Sequence, residues 1–117
     1  MRSILALLAC ILAMSMGGMV GGASSMDISE PRLQEVVQAV TPAFEASAQA
    51  QGRNGMISSV EVVEAKKQVV AGMNYFVKVH LGDGEYAHLR IYDHFGDVEL
   101  ASVQLFKTKD DALEYFA

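Results

Sequence analysis

The chain has 117 residues, of which 51% are hydrophobic and 20% charged. That is the length of one domain, with enough apolar material for a core that needs no metal or crosslink. Its formal net charge of -5, from 14 acidic and 9 basic residues, argues against nucleic acid, which requires clustered Lys and Arg to neutralise phosphates. The single cysteine, Cys10, has no intramolecular disulfide partner, and His80, His88 and His94 form no set with metal-ligand spacing.

Met1, Arg2 and Ser3 precede a ten-residue apolar run at positions 4–13, and Ala13-Met14-Ser15 sets small residues on either side of Met14. A positive start, a short apolar stretch and small residues are the pattern of an export signal. The run is too short to cross a bilayer, which takes ~20 apolar residues. We read residues 1–15 as a signal peptide. An uncleaved amphipathic or buried helix and lipid attachment at Cys10 are the alternative readings. Signal removal takes Cys10 away and leaves a secreted domain that holds together by packing alone, unlike most small secreted domains.

Residues 16–25 are rich in glycine and serine and read as a flexible N-terminal arm. The domain itself is expected over 26–117. Ser29 is the candidate helix N-cap, with Glu30 and Pro31 in the first turn. Leu33, Val37, Val40 and Phe44 recur at helical spacing, widened by Val36 and Ala43. Pro42 is expected to kink or loosen a turn, and Gly52 or Asn54-Gly55 to stop the helix.

From Met56 onward, β-branched and aromatic residues predict strands at about 57–70, 73–82, 86–94 and 98–107. Tyr75, Val77, Val79 and Leu81 alternate with Asn74, Phe76, Lys78 and His80. The alternation slips in Val60-Glu61-Val62-Val63, the mark of a bulge. Turns are expected at Ala71-Gly72, Gly82-Asp83-Gly84 and Phe95-Gly96-Asp97. The fold class is therefore α+β: one long helix across a four- to five-stranded antiparallel sheet, the fifth strand supplied by the arm at an edge.

No nucleophile–base pair, H-E-x-x-H or phosphate-cradling loop is present, so no catalytic residue, metal ligand or cofactor is assigned. Asp93/Asp97 and Asp110/Asp111 read as carboxylates in solvated turns. His80 and His88 read as an exposed cross-strand pair. Gln68-Val69-Val70-Ala71-Gly72 stands apart: its apolar tip departs from ordinary turn chemistry. Such a tip either folds back on its own core or probes a partner's cleft.

That pentapeptide, followed by Asn74-Tyr75-Phe76-Val77-Lys78-Val79-His80, Gly82-Asp83 and His88-Leu89-Arg90, resembles the cystatin superfamily, and within it the stefins. Pro31-Arg32-Leu33-Gln34-Glu35-Val36-Val37 and the C-terminal Lys109-Asp110-Asp111-Ala112-Leu113-Glu114-Tyr115-Phe116 extend the resemblance over most of the chain. It implies the cystatin fold and reversible, non-covalent inhibition of papain-like cysteine proteases of the cathepsin L and B type. It implies three protease-binding elements: Gly21 or Gly22 in the arm, Gln68, Val69, Val70, Ala71 and Gly72 in the first hairpin, and His94, Phe95 and Gly96 in the second. No cofactor, nucleic acid or, after signal removal, membrane is implied. A monomer is expected, with a domain-swapped dimer and a non-inhibitory binding module as the alternatives. Two features depart from the stefin pattern: the export signal, and a shortened second hairpin in which Phe95-Gly96 replaces Leu-Pro.

Overall fold

The computed structural model describes residues 22–117. The signal peptide assigned to 1–15, Cys10 and Gly21 lie outside the described residues. Five strands and one helix follow in the order β1 (Ser24–Ser25), α1 (Pro31–Ala50), β2 (Glu61–Val70), β3 (Gly72–His80), β4 (Tyr86–His94) and β5 (Asp97–Lys107). All neighbours pair antiparallel in the spatial order β1-β2-β3-β4-β5. This is the α+β meander expected from the sequence, with the arm adding its short strand at one edge.

The helix starts one residue later than a Ser29 cap would require. Glu30 occupies the N-cap position and makes no side-chain capping bond. Asp27 does the local work instead, its Oδ1 accepting from the Ser29 backbone N–H at 2.9 Å and the Ser29 hydroxyl at 2.7 Å. Those bonds draw the Asp27 pKa below the ordinary carboxylate value. Ser29 thus lies one residue before the N-cap position, its hydroxyl donating to Asp27. Pro31 takes the first helical position, where its missing N–H costs nothing.

Pro42 lies inside the helix, and the helix continues through it to Ala50. The hydroxyl of Thr41 donates to the Val37 carbonyl at 2.8 Å. The exit is set at Gly52, whose φ is +94°. There the Arg53 N–H reaches back to the Ala48 carbonyl and the Gly52 N–H to that of Gln49, both at 3.0 Å. This paired closure satisfies carbonyls that the helix end leaves open.

The helix buries Leu33, Val36, Val37, Val40, Phe44 and Ala48. Ala43, expected on this stripe, faces solvent. The stripe packs on Ala65, Tyr75, Val77, Val79, Leu81, Ala87, Leu89 and Ile91 of the sheet. Each Val, Leu, Ile or Phe side chain so covered contributes roughly 1.5–3 kcal/mol.

The opposite face of the sheet is also covered. Phe76 lies 5.5 Å from the ring of Tyr115 and 5.9 Å from that of Phe116, and Leu113 is buried. Lys78 extends beneath the same C-terminal segment, donating to the Lys109 carbonyl at 2.8 Å and pairing with Glu64 at 3.2 Å. The helix on one face and the C-terminal residues on the other thus give β3 buried residues on both sides.

Register corrects two expectations. The β2–β3 ladder ends with Glu61 opposite His80, so residues 57–60 have no strand to pair with and remain irregular. His80 stands opposite Tyr86, their rings 4.8 Å apart, while His88 stands opposite Lys78. The two histidines therefore form no pair, and His88 is only 1% exposed. The expected bulge falls between Val62 and Glu64. The edge strand β5 carries two further irregularities, which disfavour pairing with a foreign strand.

Candidate functional site

One end of the sheet gathers the arm and two hairpins. β1 pairs with β2 through Ser24 opposite Lys67 and Ser25 opposite Lys66. The chain enters this strand from exposed Gly22. Among the described residues nothing lies within 4 Å of a Cβ placed on Gly22, so none of them demands glycine there.

The β2–β3 hairpin reverses around Ala71, with Val69 opposite Met73 and Val70 opposite Gly72. Val69 is 73% exposed and Val70 37%. The tip does not fold back beneath the helix but projects into solvent. Gln68 is set differently, half-buried, its Oε1 accepting from Asn74 Nδ2 at 3.2 Å. It braces the base of the hairpin.

The β4–β5 hairpin turns in two residues, Phe95 and Gly96, closed by His94 opposite Asp97. Their φ angles are +54° and +102°. A two-residue turn that matches the strand twist requires positive φ at both places. Gly96 supplies this freely. Phe95 does not, since its Cβ crowds the backbone in the left-handed region. Even so, the Phe95 ring is held 80% exposed, 4.9 Å from the His94 ring. The turn thus combines a left-handed Phe95 with a large apolar ring presented to water.

The two hairpins are joined to each other. Tyr92 donates its hydroxyl hydrogen to the Ala71 carbonyl and stacks on His94 at 5.7 Å. Gly72 has φ +112°, and a Cβ on it would lie 2.6 Å from the Asp93 carbonyl oxygen and 3.2 Å from the His94 Cα. Glycine alone lets the first hairpin lie this close to the second.

Asp93 is not a solvated turn carboxylate, which corrects that expectation. It is 8% exposed. Its Oδ1 accepts from the Gly96 N–H at 2.9 Å, and its Oδ2 accepts from Arg32 Nε at 3.0 Å and pairs with Nη2 at 2.9 Å. Arg32 also binds Glu35 at 3.0 Å. The flanking carboxylates, Glu35 first and then Asp93, raise the arginine's pKa still further. At the far C-terminal turn, Asp111 accepts from the Thr108 N–H at 2.7 Å, which lowers its pKa, and Asp110 is exposed.

The structure therefore brings Gly22, Val69, Val70, Ala71, Gly72, His94, Phe95 and Gly96 to one end of the sheet, with Gln68 just behind. The sequence assigned no role at this end of the sheet to Tyr92, Asp93 or Arg32. Asp93, three residues before Gly96 in a turn, carried the only usable signal, since Asp side chains commonly bind nearby turn N–H groups. Among the described residues no group of three or more His, Cys, Asp and Glu side chains could hold a metal ion. The arrangement offers shape and exposed apolar surface.

Comparison with known proteins agrees with this geometry. The Cystatin domain family matches residues 21–110. The chain is 43% identical over 98 residues to Cystatin-A2 of Dictyostelium discoideum, covering 83% of this chain and 97% of that protein. It is 37% identical over 100 residues to human Cystatin-A, covering 82% and 97%. With leukocyte cysteine proteinase inhibitor 1 of Sus scrofa it shares 34% over 102 residues, covering 84% and 94%.

Proposed function

The chain belongs to the cystatin family, and from that premise we propose that it is a reversible inhibitor of cysteine proteases that binds through the end of the sheet bearing Val69 and Phe95. Its partners on this reading are papain-like enzymes of the cathepsin L and B type. One observation carries the assignment of the surface: Val69 and Phe95 project from adjacent hairpins into solvent, at 73% and 80% exposure, while Tyr92 ties those hairpins together.

The energetics follow from that arrangement. Apolar area removed from water contributes about 25 cal/mol per Å2. Much of this gain is ordinarily lost to ordering flexible loops during association. Here the turns are already shaped by Gly72, by Gly96 and by the bonds of Tyr92 and Asp93. On this reading Val69, Val70 and Ala71 enter the catalytic groove, and His94, Phe95 and Gly96 rest on one side of it. The arm through Gly22 and Gly21 runs along the other. Binding excludes substrate without a covalent step.

The active form on this account is the monomer, since exchanging strands between two chains would open the 69–70 tip and bury it. We also infer that residues 1–15 direct export, which N-terminal sequencing of material recovered from the medium tests. A start at residue 1 in that material contradicts it.

Titrating the purified protein against papain and cathepsins B and L with a fluorogenic peptide tests the function. Competitive, reversible inhibition at sub-micromolar concentration is the expected result. Full protease activity at saturating protein identifies a binding module that uses the same scaffold for another partner.

A further inference from the structure

We propose that Asp93 is the positioning residue of the binding edge, acting through Phe95 and holding both hairpins in one arrangement. The inference rests on the inhibitor reading and adds to it a residue outside the contact surface. Asp93 faces the first hairpin with its main chain and the second with its side chain. Its carbonyl oxygen lies where a Cβ on residue 72 would intrude, and its backbone pairs with Met73.

The two carboxylate oxygens have separate tasks. Oδ1 receives the Gly96 N–H at 2.9 Å, closing the turn that contains Phe95. Oδ2 receives the Arg32 guanidinium, with Nε at 3.0 Å and Nη2 at 2.9 Å. Arg32 lies in the first turn of α1, so the hairpin is moored to the helix as well as to its own strands.

Phe95 gives this mooring a functional meaning. A phenylalanine at φ +54° sits in a region that L-residues with bulky side chains avoid. Its ring is 80% exposed, and its ring contact with His94 does little to offset that cost. Without the carboxylate on Gly96 N–H the turn gains other conformations, and the ring leaves the position it holds beside the first hairpin. A charge-assisted bond from a carboxylate residue only 8% exposed is strong enough to suppress those alternatives. Asp93 thus lowers the ordering cost of binding while touching no protease atom.

A double-mutant cycle tests this. Association and dissociation rates with papain are measured for the wild-type chain, Asp93→Ala, Phe95→Ala and the double variant, alongside melting temperatures. Asp93→Ala is expected to weaken inhibition about tenfold, mostly through faster dissociation. Asp93→Asn, which keeps an oxygen for Gly96, is expected to recover part of the loss. In the Phe95→Ala background the Asp93 substitution is expected to change affinity by less than about twofold. Should Asp93→Ala melt below the assay temperature, Asp93→Asn and Arg32→Gln complete the same cycle.

An equal loss in both backgrounds overturns the proposal, because Asp93 then acts through general stability rather than through Phe95. Wild-type affinity in Asp93→Ala overturns it as well. A wild-type chain that leaves papain fully active overturns the inhibitor reading itself, which separates the two failures.

Discussion

The Tyr92 hydroxyl donates to the main-chain carbonyl of Ala71, so the tip of the first hairpin is fastened to the strand that leads into the second. Fold and function meet in this bond, because it links two loops that the sequence separates by more than twenty residues. Its partner carbonyl lies at an exposed residue, and water can replace the hydroxyl when it is removed. Tyr92→Phe is therefore expected to change folding stability by less than about 1 kcal/mol. It is expected to raise the dissociation rate from papain about fivefold, as the tip regains freedom that binding must remove. Stopped-flow binding and urea denaturation on the same variant measure both.

Gly72→Ala sets the opposite pattern. The added methyl would stand 2.6 Å from the Asp93 carbonyl oxygen, on a backbone with φ +112°. Neither the contact nor the conformation can be relieved by a side-chain rotation. Stability is expected to fall by about 2 kcal/mol, and inhibition to weaken with it. Urea midpoints and inhibition constants that both match wild type would show that the hairpins have room to separate.

Phe95→Asn separates stability from binding. Asn tolerates the left-handed region, and Asn-Gly is a preferred pair for this kind of turn. The variant is expected to gain about 1 kcal/mol in stability while inhibition weakens about tenfold through loss of the exposed ring. Calorimetry and inhibition assays would move in opposite directions.

His88 makes stability depend on pH. Burial foremost, helped by the nearby Lys107 and Lys78 charges and opposed by Asp111 and Glu64, pushes its pKa from the ordinary 6.5 down to about 4. Its Nε2 has no hydrogen-bond partner among the described residues. Between those values the unfolded imidazole takes up a proton that the folded one refuses, so acid favours unfolding. The stabilisation is complete above about pH 6.5 and is lost as pH falls toward 4, by up to about 3 kcal/mol. Urea denaturation of wild type and His88→Gln at pH 7 and pH 4.5 measures it. The variant should lose distinctly less stability on acidification, and parallel losses would contradict the assignment.

Much of this architecture was legible in the sequence because the local signals agree with the global fold. The helical stripe from Leu33 to Phe44, the stop at Gly52 and the three glycine-bearing turns each follow from local chemistry. The fifth strand and the bulge near Val63 were legible for the same reason. The remainder depended on contacts between distant residues. Ser29 was expected to cap the helix, but the helix begins one residue later, with Glu30 at the N-cap, and Ser29 instead bonds back to Asp27. His88 read as exposed because alternation implies a wet outer face, whereas the segment carrying Leu113, Tyr115 and Phe116 closes over the strands nearby. The exposed tip residues were recognisable from their apolar character. The side chains that hold them, Tyr92, Asp93 and Arg32, are ordinary strand and helix residues until register brings them together.

Binding to papain whose catalytic groove is already filled by a covalently attached peptidyl inhibitor tests the central claim most directly. Calorimetric titration of the chain into free papain should give a saturable complex, and into the filled enzyme no measurable heat of binding. Equal affinity for the free and filled enzymes would show that the edge bearing Val69 and Phe95 does not enter the groove.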